Sequence, residues 1–106
     1  MNQPNIPLDP FTQTLQHIRG LIEAGQFQPA AEALNAVQKQ APTDARIPLI
    51  GMRLAQRLGK PEHAVQAARR ALTLAPGWHV AQIELALRLA QQKQGDEAMQ
   101  LAMQAL

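Results

Sequence analysis

Cysteine, serine and tyrosine are all missing from this chain of 106 residues. Without cysteine there is no disulfide framework, no thiolate nucleophile and no thiolate metal ligand. The other two absences take away most of the remaining side chains used for covalent acyl transfer. Aromatic residues are scarce as well, being limited to Phe11, Phe27 and Trp78. So few rings give single-stranded nucleic acid little to stack on. The formal charge is +2, from ten Lys and Arg against eight Asp and Glu. That is too small for a basic nucleic-acid surface. No apolar run approaches the roughly 20 residues of a membrane span, and the opening MNQPNIPLDP has no basic segment followed by an apolar core. These absences predict a cytoplasmic chain with no nucleic-acid and no membrane partner.

Sites for small-molecule chemistry are equally thin. No two histidines or carboxylates have metal-ligand spacing, and no glycine-rich phosphate loop leads into a helix. The carboxylates are scattered, with no pair assignable to an acid–base site. No metal, no cofactor and no catalysis are expected.

What the chain does have is alanine and leucine, in a sequence that is 46% hydrophobic. That mixture favours helices that approach one another closely. The length suits one domain, which would bury roughly two-thirds of its unfolded surface.

The stretch GQFQPAAEALNAVQKQAP, residues 25–42, is written again at 59–76 as GKPEHAVQAARRALTLAP. Gly25 falls on Gly59, Ala30 on Ala64, Ala33 on Ala67, Ala41 on Ala75 and Pro42 on Pro76, always 34 apart. A further step places Ala98 on Ala64, Ala102 on Ala68, Ala105 on Ala71 and Leu106 on Leu72, with the turn glycine displaced to Gly95. Between these marks the pattern is helical. Gly51, Leu54 and Leu58 form one stripe, and Ala64, Ala67, Ala68, Ala71 and Leu72 another. Each unit is thus a pair of amphipathic helices, A then B. Asp9-Pro10 and Thr43-Asp44 offer capping starts, and Ala41-Pro42 and Ala75-Pro76 end the B helices. Pro48 falls about a turn into the third helix, which must start late or lose a hydrogen bond. Helices are predicted over 11–24, 28–40, 45–58, 62–74, 79–93 and 96–106. Residues 1–10 are predicted to be a flexible arm, and 11–106 one repeat domain of units 11–44, 45–78 and 79–106, the last incomplete.

A 34-residue helix-turn-helix unit with these marks resembles the tetratricopeptide repeat. Gly25 and Gly59 match the family's turn glycine, Ala30, Ala64 and Ala98 the small residue of helix B, Pro42 and Pro76 the closing proline, and Phe27 an aromatic just past the turn. The family's tryptophan position holds Thr14, Pro48 and Gln82, and its Leu-Gly pair is His17-Ile18, Gly51-Met52 and Leu85-Ala86. The resemblance implies an all-α solenoid of antiparallel helix pairs, wound as a right-handed superhelix, with a concave groove lined by A helices. In this family such a groove usually holds a peptide or a partner's helix.

Carried onto this sequence, the family phase puts Leu15 and Arg19 on the groove side of the first A helix, with Thr12 and Gln16. It puts Arg46, Leu49, Ile50, Arg53 and Arg57 on that side of the second, and Ile83, with Val80, Glu84 and Leu87, on that side of the third. Arg46, Arg53 and Arg57 are separated by seven and four, hence share one helical face around Leu49 and Ile50. Arg19 precedes Arg53 by 34 and lies beside it. Two readings follow. The arginines either form a surface for an acidic or carboxylate-bearing segment or are a solvated face partly paired with Glu23 and Glu84. The clamp by which some family members hold chaperone C-termini needs Lys and Asn where Leu15 and Arg19 stand, which disfavours that partner. Trp78 is read as packing at a repeat junction, His17 as a seam residue, hydrogen-bonded or partly buried, and His63 and His79 as exposed.

The expected function is a non-catalytic module that binds a protein or peptide, possibly acidic, in this groove. The alternative is an N-terminal accessory domain of a larger bacterial enzyme, for example a transferase, with the catalytic part beyond residue 106. That alternative, and a possible two-fold homodimer, come from Met99, Leu101, Ala102 and Ala105, which would leave the last helix apolar and uncapped.

Overall fold

The computed structural model describes residues 9–92 together with 101, 103 and 104. Five helices follow one another: α1 Thr12–Glu23, α2 Phe27–Gln40, α3 Arg46–Arg57, α4 Pro61–Leu74 and α5 His79–Gln91. There is no strand among the described residues. Of the expected sixth helix over 96–106, residues 101, 103 and 104 are helical. Its remaining residues, the slipped turn at Gly95, the seam residues Ala98, Ala102, Ala105 and Leu106, and most of the arm at 1–10 lie outside the described residues. Leu101, expected on an uncovered edge, is half-buried against the core formed by α3, α4 and α5.

The ends of these helices repeat with the sequence. Gly25 and Gly59 have φ of 78° and 71°, the left-handed conformation that favours glycine. At the first turn the Gly25 N–H bonds to the Ile22 carbonyl and the Gln26 N–H to that of Leu21, at 3.0 and 2.8 Å. At the second, Gly59 bonds to Gln56 and Lys60 to Ala55, at 3.1 and 2.9 Å. Both are Schellman closures, in which two orphan carbonyls of the A helix are satisfied. The B helices stop at Ala41 and Ala75, whose ψ of 67° and 77° leave the helical region as the following proline requires.

Helix starts use carboxylates and prolines. The Asp9 and Asp44 carboxylates accept the backbone N–H of Phe11 and Arg46 at 2.8 and 3.0 Å, and their carbonyls accept Thr12 and Ile47 N–H at 3.1 Å each. Each aspartate caps a tight turn that leads into an A helix, and Asp44 rather than Thr43 does so in the second unit. Pro48 is only the third residue of α3. Its missing N–H would have had no intrahelical acceptor there, so neither a late start nor a lost bond results.

Two apolar clusters share α3. Leu15, Ile18 and Ile22 of α1, Ala30 and Val37 of α2, and Ile47, Ile50 and Leu54 of α3 form the first. Met52 and Ala55 of α3, Ala64, Val65 and Ala68 of α4, and Leu85 and Leu89 of α5 form the second. The B helices bury mostly alanine, which brings helix axes together. Gly51 faces α2, where a Cβ would meet Leu34 Cδ2 at an ordinary contact distance of 3.6 Å. Leu58, expected on the α3 stripe, is 43% exposed because α3 has ended at Arg57. His17 is exposed rather than on the seam. It stands two residues from Leu15, about 200° around the helix, whereas Ile18 and Ile22 return to the buried side. His63 and His79 are exposed, as expected.

Gly59→Ala and Gly25→Ala should each destabilise the fold by about 1 kcal/mol, the cost of forcing a Cβ into left-handed backbone. No atom crowds a Cβ at either site, so the loss is conformational. Gly20→Ala, on the exposed side of α1 with open space around it, should instead stabilise by about 0.5–1 kcal/mol. Urea unfolding of the three variants checks the opposite signs.

Candidate partner-binding cleft

Stacking α1, α3 and α5 side by side leaves a cleft of about 310 Å³ along their common face. Leu15 and Ile50 are buried beneath it, and half-buried Leu49 and Trp78 complete an apolar floor. Thr12, Gln16, Arg19, Arg46, Arg53, Val80 and Glu84 complete the lining. Of the residues singled out from sequence, Leu15, Arg19, Arg46, Leu49, Ile50 and Arg53 come together here. Arg57 and Ile83 do not line it. Arg57 instead lies over the Phe27 ring, 5.5 Å from its centre, with Glu23 at 3.9 Å. Ile83 is 47% exposed on α5, in an open apolar row with Val80 and Leu87.

The four groove arginines on α1 and α3 are committed to very different degrees. The Arg46 guanidinium grips the Asp44 carboxylate with Nε at 2.9 Å and Nη2 at 2.6 Å. Its Nη2 also reaches Asp9 Oδ2 at 2.7 Å, and its Nη1 donates to Thr12 Oγ1 at 3.4 Å. One side chain thereby joins the leading turns of α1 and α3, residues 34 apart in the repeat. The bidentate Arg46 bond holds the Asp44 carboxyl below the usual carboxylate range. Partial burial opposes that shift, while the Arg46 N–H and its positive charge reinforce it. Arg46 is pushed up in turn and stays charged. It is a structural tie and has little left for a ligand.

Arg53 and Arg57 touch Glu84 and Glu23 only at 3.9 Å, the outer limit of an ion pair. Arg19 has no carboxylate partner among the described residues, and its exposed side chain borders the cleft. Both sequence readings of the arginines therefore have a physical counterpart: the pairs with Glu23 and Glu84 exist, and they are loose.

Two participants, Trp78 and Arg88, were not recognised in the sequence. Trp78, read as junction packing, lines the cleft. Its place immediately before an A helix, 34 after Asp44, is the signal that points there. Glu84 receives both Arg53 and Arg88, the latter at 3.3 Å. Arg88 is 9% exposed, although an arginine in a helix pattern reads as surface. No group of three or more His, Asp or Glu among the described residues could hold a metal ion. No described helix is long and apolar enough to cross a membrane.

No family model and no curated protein matches the chain. Solved structures of MamA resemble it in fold. "MamA RS-1 ArsTM double mutant" superposes with a TM-score of 0.79 at 20% identity, over 91% of this chain and 54% of the other. "MamA 41-end from Desulfovibrio magneticus RS-1" gives 0.79 at 19%, over 93% and 56%. Both are tetratricopeptide-like helical repeats. At such identity the likeness concerns backbone architecture, and with the helix pairs described above it establishes an α-solenoid. The chain spans about half the length of these structures.

The depressed Asp44 pKa has a defined consequence. A carboxylate with a lower pKa folded than unfolded contributes stability that is fully present above the unfolded value, about pH 4. The contribution is lost as pH falls through the folded value. Asp44→Asn should cost about 1–2 kcal/mol at neutral pH. It should also flatten the decline below about pH 4, so that wild type and variant converge in acid. Urea midpoints from pH 7 to pH 2 provide the check; parallel curves would mean that Asp44 is not the titrating tie.

Proposed function

We propose that this chain is a non-catalytic protein-interaction module that captures a partner segment carrying a carboxylate in the cleft of its A helices. The observation that carries the reading is an apolar floor of Leu15, Leu49, Ile50 and Trp78 beneath Arg19, which has no carboxylate partner among the described residues, and Arg53, whose pair with Glu84 is 3.9 Å long. The floor offers burial to an apolar side chain, and guanidinium groups above it suit a planar anion. A cleft with few, convergent polar groups over apolar walls is the general form of a recognition site. The similarity to helical-repeat structures agrees with this reading at the level of architecture.

Binding follows from differences in affinity, so a matched pair of probes is informative. Capped five-residue peptides with a central glutamate flanked by leucines are titrated against their glutamine counterparts, with Trp78 fluorescence and backbone chemical shifts as readouts. The glutamate peptide should bind more tightly, with shifts at Leu49, Arg19 and Arg53, and its advantage should shrink as salt rises. Arg19→Ala should reduce the advantage by about three- to tenfold. Equal affinity of the two peptides at low salt would sink the carboxylate reading, and shifts confined to α2 or α4 would sink the cleft.

A further inference from the structure

At the junction of α3 and α5, three charged residues meet with unequal holds on one another. Glu84 stands between Arg53, 3.9 Å away and 46% exposed in its side chain, and Arg88, 3.3 Å away and 10% exposed. Arg88 depends on this carboxylate. Its guanidinium is buried, its Nε has no hydrogen-bond partner, and among the described residues Glu84 is its only ion-pair partner. A buried cation deprived of its counter-ion is strongly disfavoured, whereas an exposed arginine can leave a distant carboxylate for water or another anion at little cost. Glu84 is therefore fixed to Arg88, while Arg53 is only loosely detained.

We infer that Glu84 is a built-in competitor for the partner's carboxylate: it occupies Arg53 weakly in the free protein, and Arg88 keeps it neutralised when Arg53 turns to the ligand. The inference rests on the reading of the cleft given above and deepens it. The geometry has two consequences for recognition. Arg53 is kept from binding weak anions indiscriminately, because any ligand must outcompete Glu84. A carboxylate that bridges Arg19 and Arg53 meets this condition better than one reaching Arg53 alone. Arg19 lies on the same cleft and has, among the described residues, no carboxylate of its own to release. Arg88 is thus a positioning residue, acting through Glu84, and Glu84 sets the threshold that separates acidic from neutral segments.

The test uses the same glutamate and glutamine peptides and reads the ratio of their affinities. Glu84→Gln should raise that ratio about three- to fivefold, the worth of an exposed ion pair that need no longer be broken, without changing the glutamine peptide's affinity. Because Glu84→Gln leaves Arg88 without its counter-ion, the double variant E84Q/R88M provides a folded alternative without either buried charge, and the same rise is expected in it. The rise should vanish in E84Q/R53A. Glu62→Gln, on the exposed outer helix α4, changes the net charge equally and should leave the ratio as it is. A wild-type preference for the glutamate peptide that is the same in E84Q and E84Q/R88M overturns the role of Glu84 while the cleft reading stands. So does an equal rise in E62Q. No preference in wild type overturns both.

Discussion

Everything in this molecule depends on α3 having three uses. Ile47 and Leu54 close the cluster shared with α1 and α2, Met52 and Ala55 enter the cluster shared with α4 and α5, and Arg46, Leu49 and Arg53 line the cleft. A helix with 3.6 residues per turn has room for three such arcs only if each is narrow. The small residues provide that room. Gly51 faces Leu34 of α2 with space for no more than a Cβ in ordinary contact, and Ala55 packs in the cluster shared with α4 and α5. Larger side chains at either position would push a neighbour outwards and change the cleft along with the core.

The cleft that results is electrically uneven. At the leading turns of α1 and α3, Arg46 meets Asp9 and Asp44, one cation against two anions, a local charge of −1. Further along the cleft, Arg19 and Arg53 line it together with Glu84, whose carboxylate also holds Arg88 of its own helix. A chain with a formal charge of only +2 therefore has an acidic cluster at the leading turns of α1 and α3 and arginines further along the cleft. Apolar walls weaken screening there and make modest charges effective. Sequence position alone treats Arg46 and Arg53 as equivalents. The structure separates them into a tie and a contact.

The five helices and both of their glycine turns were legible in the sequence because their signals are local. A left-handed closure needs glycine, a helix end needs to precede proline, and a period of 34 repeats both. Most of the cleft lining was legible too, since the same period puts Arg19 beside Arg53 and Thr12 beside Arg46. What escaped depended on distances between helices. That Arg46 bonds Asp9 rather than projecting over the groove is a matter of a few ångströms at the stacked leading turns. Arg88 is buried because it continues the Ala81–Leu85 face of α5 at spacings of four and three, whereas its residue type alone would assign it to solvent. Leu58 and His17 were misplaced for a simpler reason, namely that a stripe was extended beyond the turn where its helix stops, and that a family phase was trusted over the angle from Leu15.

The division of labour between A and B helices explains why the repeat can be so alanine-rich and still carry specific chemistry. Ala30, Ala64, Ala68 and Ala71 are all but fully buried on the B helices, and an alanine seam fixes spacing while offering no functional group. Substitution there shifts whole helices, and the cleft with them, through volume changes that a close-packed interior transmits. The A helices expose longer side chains such as Arg19 and Arg53, which take no part in the two apolar clusters. Arg46 is the exception on the A side, because its bonds to Asp9 and Asp44 join two repeats. Position 46 is tied to the fold in this way and Glu84 is tied to it through buried Arg88, whereas exposed Arg19 and Arg53 have no ion pair closer than 3.9 Å among the described residues.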